Sequence, residues 1–233
     1  MTPERFHKLK QVLAARQPDL TVLMENVHKS HNIGAVIRTC DAVGVFEAHA
    51  VSDRGEIRRH RAVSGGTRKY VPVHIHPDVA SACDRLRNKG HQILAAHLSD
   101  SGRDYRDFDY TLPTALVLGS ELLGVSDVAA EVADHHVVIP MNGVVASLNV
   151  SVAAAVILYE ASRQREAAGL YADRRLDHAT FDRTLFEWSH PRIARRCRAQ
   201  GLAYPALTDD GDLAANPFAR RPRKRRGSSP AET

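Results

Sequence analysis

The feature that most constrains the fold is an alternation, between residues 20 and 166, of short apolar runs with longer segments of helical character. The largely apolar runs are residues 20–24, 46–51, 71–75, 92–96, 114–118 and 137–139. Nearly continuous apolar runs are typical of strands that are covered on both faces, as in parallel sheets. The segments between them predict helices, so the sequence indicates an α/β fold with a mainly parallel sheet flanked by helices.

Three of the predicted strands end in abrupt changes of composition. The loops that follow begin near His97, Gly119 and Pro140. Ligands of open parallel sheets bind beyond the carboxyl ends of the strands, so these loops are expected to meet at one pocket. After the third loop, Ser147 is predicted as the N-cap of a buried helix over residues 148–159, because serine is a favoured N-cap residue.

Composition indicates a soluble, cytoplasmic globular protein. Of the 233 residues, 43% are hydrophobic and 25% are charged, which is ordinary for a globular domain. No apolar run approaches the roughly 20 residues of a membrane span, and the charged N-terminus lacks the apolar core of a signal peptide. The three widely spaced cysteines predict reduced thiols. The pairs His74/His76 and His135/His136 lack a third ligand at useful spacing, so no metal site is expected.

The positive charge is concentrated in the C-terminal part. Residues 161–233 hold 15 Lys and Arg against 9 Asp and Glu, whereas residues 1–160 are close to neutral. A polyanionic partner is a fair inference, although a solvated basic tail remains the alternative. Four basic segments are candidates for phosphate contacts: a helix over 3–16, a glycine-containing segment over 53–70, a second helix of the tail over 191–199, and the run 220–226. The residues proposed as RNA contacts are Arg5, Lys8, Arg16, His31, Arg58, Arg59, Arg61, Arg192, Arg195 and Arg196.

Several common catalytic motifs are absent from the sequence. It contains no G-x-G-x-x-G turn and no P-loop, so the usual nucleotide-binding turns are missing. It also contains no G-x-S-x-G elbow, and Ser147 has no evident His and Asp partners, which makes a serine hydrolase a poor reading.

Three segments, in order and at the expected spacing, resemble the motifs of the SpoU/TrmH branch of the SPOUT RNA methyltransferases. Residues 32–38 (NIGAVIR) resemble motif 1, and residues 116–124 (LVLGSELLG) resemble motif 2. Residues 139–141 (IPM) together with 147–153 (SLNVSVA) resemble motif 3. The resemblance covers roughly residues 1–215 and leaves the basic run 220–226 unmatched.

The resemblance implies a fold, a reaction and partners. The parallel sheet would carry a C-terminal trefoil knot whose loops hold S-adenosylmethionine, and the enzyme would be a homodimer with its active site close to the interface. Its substrate would be tRNA, and its reaction the 2′-O-methylation of guanosine 18 in the D-loop. Neither a membrane nor a metal ion would take part.

The resemblance also assigns residues. Arg38 would help remove the 2′-OH proton, and Asn32 would position Arg38 and the ribose, while Glu121, Ser147 and Asn149 would shape the catalytic pocket. Contacts to the cofactor, largely through backbone groups, would come from Ala96, Gly119, Ile139 and Leu148. Because arginine has a solution pKa above ~12, two roles stay open for Arg38: a locally deprotonated base, or a cation that stabilises the developing alkoxide.

Four segments follow from these observations. They are an N-terminal basic helix (1–18), a catalytic domain (19–166), a helical RNA-binding extension (167–215) and a basic disordered tail (216–233). Two other functions remain open. One is a 2′-O-methyltransferase acting on ribosomal RNA, and the other is a non-catalytic RNA-binding protein on the same scaffold.

Overall fold

A seven-stranded parallel sheet organises the chain. The computed structural model describes residues 1–52, 69–215 and 217–218. The strands are β1 (Leu20–Glu25), β2 (Ala48–Val51), β3 (Val73–His76), β4 (Gln92–Ala96), β5 (Arg103–Asp104), β6 (Thr114–Leu118) and β7 (His135–Val138). They lie in the order β3-β2-β1-β6-β4-β7-β5, and all six neighbouring pairs are parallel. The mainly parallel α/β fold is therefore confirmed, whereas the trefoil knot stays a prediction.

Helices connect and flank these strands. They are α1 (Pro3–Ala14), α2 (Ser30–Ala42), α3 (Val79–Asn88), α4 (Asp127–Val132), α5 (Val150–Ala167), α6 (His178–Ser189) and α7 (Pro191–Ala199). Local chemistry sets several of their ends. The Asp78 side chain accepts a hydrogen bond from the Ser81 N–H at the start of α3, a typical N-cap. Gly44 and Gly90 follow α2 and α3 with φ of +80° and +88°, where glycine is favoured.

The sheet is buried on both faces, as the continuous apolar runs predict. Neighbouring residues of a strand point to opposite faces, and β1 illustrates the consequence. Val22 and Met24 join a core with residues of α2 and α5, whereas Leu23 joins a second core with residues of α3 and α4. Two helical layers thus cover one sheet, and the carboxyl ends of the strands remain available for a site.

One strand was missed and one helix cap was assigned wrongly. Residues 100–113, between the apolar runs 92–96 and 114–118, contain β5 and a 3-10 turn over Tyr105–Asp107, and a two-residue strand is too short to leave a periodic pattern. Ser147 is not the N-cap of the long helix. That helix begins at Val150. Asn149 caps it, because its side-chain oxygen accepts a hydrogen bond of 2.8 Å from the Ser151 N–H.

The chain groups into two compact units, Lys10–Asp182 and Met1–Leu9 with the residues from Arg183 onward. In the second unit, a β-carbon on Gly211 would lie 2.3 Å from the Phe6 ring, and the His190 ring N–H donates to the Gly211 carbonyl at 2.7 Å. Helices α6 and α7 confirm the helical segments expected in the tail. The four segment boundaries proposed from the sequence stay predictions.

All three cysteines are free and buried, in agreement with the expectation of reduced thiols. Among the residues described, no helix has both the length and the apolar character needed to cross a membrane.

Candidate active site

A cleft of about 490 Å³ opens beyond the carboxyl ends of β6, β4 and β7. These strands are neighbours in the sheet, and the loops that follow them form the walls. All four residues predicted to contact the cofactor line this cleft, namely Ala96, Gly119, Ile139 and Leu148. The convergence of three loops that the sequence predicted is therefore confirmed, and the volume falls within the range of small-molecule sites.

The loop after β6 is a compact turn that requires glycine at its first position. Ser120 and Gly124 exchange two backbone hydrogen bonds, of 2.8 and 3.0 Å. A β-carbon on Gly119 would lie 2.0 Å from the carbonyl carbon of Gly124 and 2.1 Å from the Val125 nitrogen. Backbone therefore packs directly on backbone at this turn, and residues 119–124 line the cleft.

The Glu121 carboxylate, on this loop, joins the cleft to the segment that follows β1. It accepts hydrogen bonds from the backbone N–H groups of His28 and Lys29, at 3.1 and 2.9 Å, and from the Asn32 side-chain amide at 2.9 Å. Burial by itself raises the pKa of Glu121, but these donors outweigh it and lower the pKa to about 2. Glu121 is therefore ionised at neutral pH.

Asn32 and Asn149 extend this network to the start of α5. Asn32 is buried, with an exposed fraction of 2%. While its amide nitrogen donates to Glu121, its carbonyl oxygen accepts from the Asn149 amide at 3.2 Å. The Asn149 carbonyl oxygen accepts from the backbone N–H and the hydroxyl of Ser151. Each amide thus has its orientation fixed by a donor on one side and an acceptor on the other.

The other two predicted catalytic residues stand apart from this network. Ser147 lines the cleft but is exposed. Arg38 lies on an exposed position of α2 and does not line the cleft. Within residues 1–52, 69–215 and 217–218, no hydrogen bond or ion pair holds its guanidinium in place.

The model of the SpoU rRNA Methylase family matches residues 19–159, and the model of the C-terminal part of SpoU rRNA methylases matches residues 163–216. The chain belongs to the SpoU rRNA methylase family. A curated relative, the tRNA (guanosine(18)-2'-O)-methyltransferase of Escherichia coli K12, is 45% identical over 93% of this chain and 95% of its own length.

Solved structures of the SpoU family support the same assignment. The A. aeolicus TrmH/SpoU tRNA modifying enzyme is 39% identical with a TM-score of 0.75, over 82% of this chain and 97% of its own. The SpoU methyltransferase AviRb from Streptomyces viridochromogenes, solved in complex with AdoMet, is 30% identical with a TM-score of 0.57, over 65% of this chain and 62% of its own. S-adenosylmethionine is thus the cofactor expected of this SpoU protein, and the cleft has the volume and the glycine turn to accept it.

Most of the basic residues proposed as RNA contacts are exposed. This holds for Arg5, Lys8, His31, Arg192, Arg195 and Arg196. The guanidinium of Arg196 lies 3.8 Å from the centre of the Phe218 ring. Three further candidates, Arg58, Arg59 and Arg61, lie outside the described residues.

The prediction of an RNA contact is wrong for Arg16. Its side chain has an exposed fraction of 0%, and its guanidinium donates to the carboxylate of Asp41 and to the backbone carbonyls of Asp41 and Val45. A buried guanidinium with these acceptors stabilises the junction between α1 and α2 and is not exposed to a phosphate. Position 16 lies beyond the end of α1, so the periodicity of that helix did not apply to it.

Two site residues were missed by sequence reasoning. Lys29 lines the cleft, and the Glu25 carboxylate, buried at 4% exposure, binds Ser126 next to the glycine turn. The sequence offered one signal for Glu25, an acidic residue at the carboxyl end of an otherwise apolar strand. Among the residues described, no group of three or more His, Cys, Asp or Glu side chains is arranged to hold a metal ion.

Proposed function

We propose that this chain catalyses the S-adenosylmethionine-dependent 2′-O-methylation of the ribose of guanosine 18 in the tRNA D-loop. The observation that carries the proposal is the hydrogen-bonded network of Glu121, Asn32 and Asn149 at the wall of the cleft. The choice of substrate is supported by the E. coli relative, whose name states that reaction and whose length is almost fully matched.

The cofactor would be held by the loops after β4, β6 and β7. Bound S-adenosylmethionine would supply a methyl group activated by its sulfonium. Ala96, Gly119, Ile139 and Leu148 line the cleft and would hold it mainly through backbone groups, because their side chains carry no hydrogen-bonding group. The glycine turn at 119–124 is the part of the cleft that tolerates no side chain at its first position.

Asn32 would position the ribose and Arg38, which lies on the same helix. Both polar ends of its amide are engaged, by Glu121 and by Asn149, so its place at the N-terminal turn of α2 is fixed before substrate binds. Such preorganisation removes the cost of ordering the group during the reaction. Ser147, exposed at the edge of the cleft, would complete the pocket around the ribose.

Arg38 would act as a cation that stabilises the alkoxide developing on the ribose 2′-oxygen. A neutral guanidine requires an environment that penalises its charge, and Arg38 is exposed. In this role the proton passes to a group of the substrate, such as a phosphate. A deprotonated Arg38 remains the alternative, and the pH dependence of single-turnover transfer in the wild type and in Arg38→Lys separates the two.

RNA would be held by exposed basic residues of α1 and α7, together with His31 and the segment containing Arg58, Arg59 and Arg61. Arg192, Arg195 and Arg196 lie at i, i+3 and i+4 of one helix and therefore share a face. Affinity that rests on phosphate contacts falls steeply with salt. An affinity for tRNA that does not change between about 50 and 200 mM salt would contradict this mode of binding.

A homodimer is part of the proposal. Large apolar side chains are exposed close to the cleft, with exposed fractions of 91% for Leu122, 84% for Leu123 and 63% for Val145. Leu122 and Leu123 are consecutive in the chain, and clustered exposed apolar side chains mark interaction surfaces. A second copy of the chain would cover them. Light scattering after size exclusion is expected to give twice the chain mass of 25.7 kDa. The protein would act in the cytoplasm, where unmodified tRNA is available.

The test uses purified protein, S-adenosylmethionine labelled in the methyl group, and tRNA that lacks the modification. Nucleoside analysis and position mapping are expected to place the label in 2′-O-methylguanosine at position 18. Label in ribosomal RNA alone would refute the proposal and favour a 2′-O-methyltransferase that acts on ribosomal RNA. RNA binding without cofactor binding or transfer would favour a non-catalytic protein.

A further inference from the structure

We propose that Glu25 is a positioning residue of the cofactor loop, acting through Ser126. The inference rests on the proposed function, because it assigns to Glu25 a part in holding S-adenosylmethionine. Glu25 ends β1 and is buried, with an exposed fraction of 4%. One carboxylate oxygen accepts from the Ser126 hydroxyl at 2.5 Å, and the other accepts from the Ser126 backbone N–H at 3.0 Å.

Ser126 is the downstream anchor of the loop that lines the cleft. Residues 118–125 all line the cleft, and Ser126 follows them directly. The Ser126 hydroxyl also accepts from the Ala129 N–H as the N-cap of α4. A single hydroxyl therefore links the Glu25 carboxylate to the helix that follows the loop. A shift of Ser126 moves Val125 and Gly124, on which Gly119 packs without room for even one added carbon.

The two segments are tied to each other in both directions. Glu25, on the β1 side, accepts from the main chain at the end of the loop, and Glu121, on the loop, accepts from the main chain at His28 and Lys29. Between these ties the chain bends at Asn26, whose φ of +50° is in the left-handed region. Each segment thus supplies one carboxylate that binds the main chain of the other, and the two contacts fix the register between residues 25–32 and 119–126.

This arrangement separates the role of Glu25 from that of Glu121. Glu121 contacts Asn32, whereas, among the residues described, the Glu25 carboxylate hydrogen-bonds to Ser126 and to no predicted catalytic side chain. Loss of the Glu25 contact lets the end of the loop leave its cofactor-binding position while Glu121 still holds its other end. The apparent Kd for S-adenosylmethionine then rises, because it equals the intrinsic Kd divided by the fraction of molecules whose loop is correctly placed.

The test compares Glu25→Ala, Ser126→Ala and the double variant by calorimetric titration with S-adenosylmethionine. The Kd of Glu25→Ala is expected to rise about tenfold or more, with a matching rise of KM for the cofactor. The KM for tRNA, and kcat at saturating cofactor, are expected to stay within about threefold of the wild type. The double variant is expected to lose about as much affinity as Glu25→Ala, because Glu25→Ala already removes both bonds to Ser126, whereas Ser126→Ala removes only the bond from the hydroxyl.

Asp19→Ala is the matched control. Asp19 also lies beside β1 and accepts from Arg165 and Arg175, at 2.7 and 2.8 Å, but it does not line the cleft. It is expected to lower the melting temperature without changing the Kd for S-adenosylmethionine. Should Glu25→Ala fail to fold, Glu25→Gln, which keeps the size and one acceptor oxygen, is expected to show an intermediate rise in Kd.

A folded Glu25 variant with a wild-type Kd overturns the proposal. So does an equal rise in Kd in Asp19→Ala, which would reduce the effect to general loss of stability. These readouts do not depend on the RNA substrate. A wild-type protein that binds S-adenosylmethionine but methylates no tRNA would refute the proposed function and leave the Glu25 test valid.

Discussion

Replacing Glu121 by glutamine removes the charge on which three donors converge, and its cost can be estimated in two ways. Folding lowers the pKa of Glu121 from an ordinary 4.5 to about 2, which corresponds to about 3 kcal/mol of stability at pH 7. Screening of a partly exposed carboxylate reduces this to about 2 kcal/mol. The second estimate comes from geometry. Glutamine keeps the oxygen that accepts from Lys29 and Asn32, but its amino group faces the His28 N–H.

The geometric loss is one hydrogen bond to a charged group, worth about 1.5–3 kcal/mol, so the two estimates agree. The assay is urea unfolding of the wild type and Glu121→Gln at pH 7 and at pH 3.5. A lowered pKa stabilises the folded state above the unfolded value and loses that effect as pH falls from 4.5 towards 2. The difference between the proteins is therefore expected to be about 2 kcal/mol at pH 7 and smaller by about 1 kcal/mol at pH 3.5.

Asp104→Asn is the control for this experiment. The pKa of Asp104 is also lowered to about 2, by its hydrogen bonds with Arg106, but that pair lies on the surface, where ion pairs contribute little. The urea midpoint of Asp104→Asn is expected to equal that of the wild type. A Glu121→Gln variant as stable as the wild type at pH 7, or a difference independent of pH, would refute the reasoning.

Three further changes test other parts of the site. Gly119→Ala places a carbon 2.0 Å from Gly124, so binding of S-adenosylmethionine in calorimetry is expected to weaken by more than about tenfold, and unchanged binding would show that the turn can open. Asn149→Asp keeps the cap of α5 but opposes an acceptor to the Asn32 oxygen. The free energy of unfolding of Asn149→Asp in urea is expected to stay within about 0.5 kcal/mol of the wild type, while single-turnover methyl transfer falls at least tenfold. A loss of stability with unchanged methyl transfer would make Asn149 purely structural. Arg16→Ala removes a buried guanidinium and is expected to lower the free energy of unfolding by about 3 kcal/mol, with unchanged tRNA affinity of the folded protein. Weakened tRNA affinity without a loss of stability would show that Arg16 contacts RNA after all.

The fold could be predicted from the sequence because its strands are covered on both faces. A strand such as β6, with every residue buried, leaves a continuous apolar run that composition alone reveals. β5 has two residues and an exposed arginine, so no pattern marks it. The choice between Ser147 and Asn149 as the cap of α5 was undetermined, since both residue types cap helices. Only the backbone shows that Asn149 adopts the capping conformation.

Some residues of the site could likewise be predicted from the sequence, and others could not. Gly119, Asn32 and Asn149 were predicted because they belong to motifs at recognisable spacing, and the structure brings all three to the cleft or its adjoining network. Glu25 was not assigned, and Arg16 was assigned wrongly, because the hydrogen-bond partners of their side chains lie 101 and 25 residues away in the sequence. Contacts at such separations leave no local pattern, and a buried charge is visible only once its partners are placed around it.

The central claim is that Arg38, on the same helix as Asn32, promotes methyl transfer to the 2′-oxygen of guanosine 18. The most direct measurement is single-turnover transfer from labelled S-adenosylmethionine to an unmodified tRNA transcript, for the wild type and Arg38→Ala. A transcript with 2′-deoxyguanosine at position 18 is the matched substrate. Label is expected at position 18 only, absent from the deoxy transcript and formed at least about a hundredfold more slowly by Arg38→Ala. Full activity in Arg38→Ala, or label that persists on the deoxy transcript, would contradict the account.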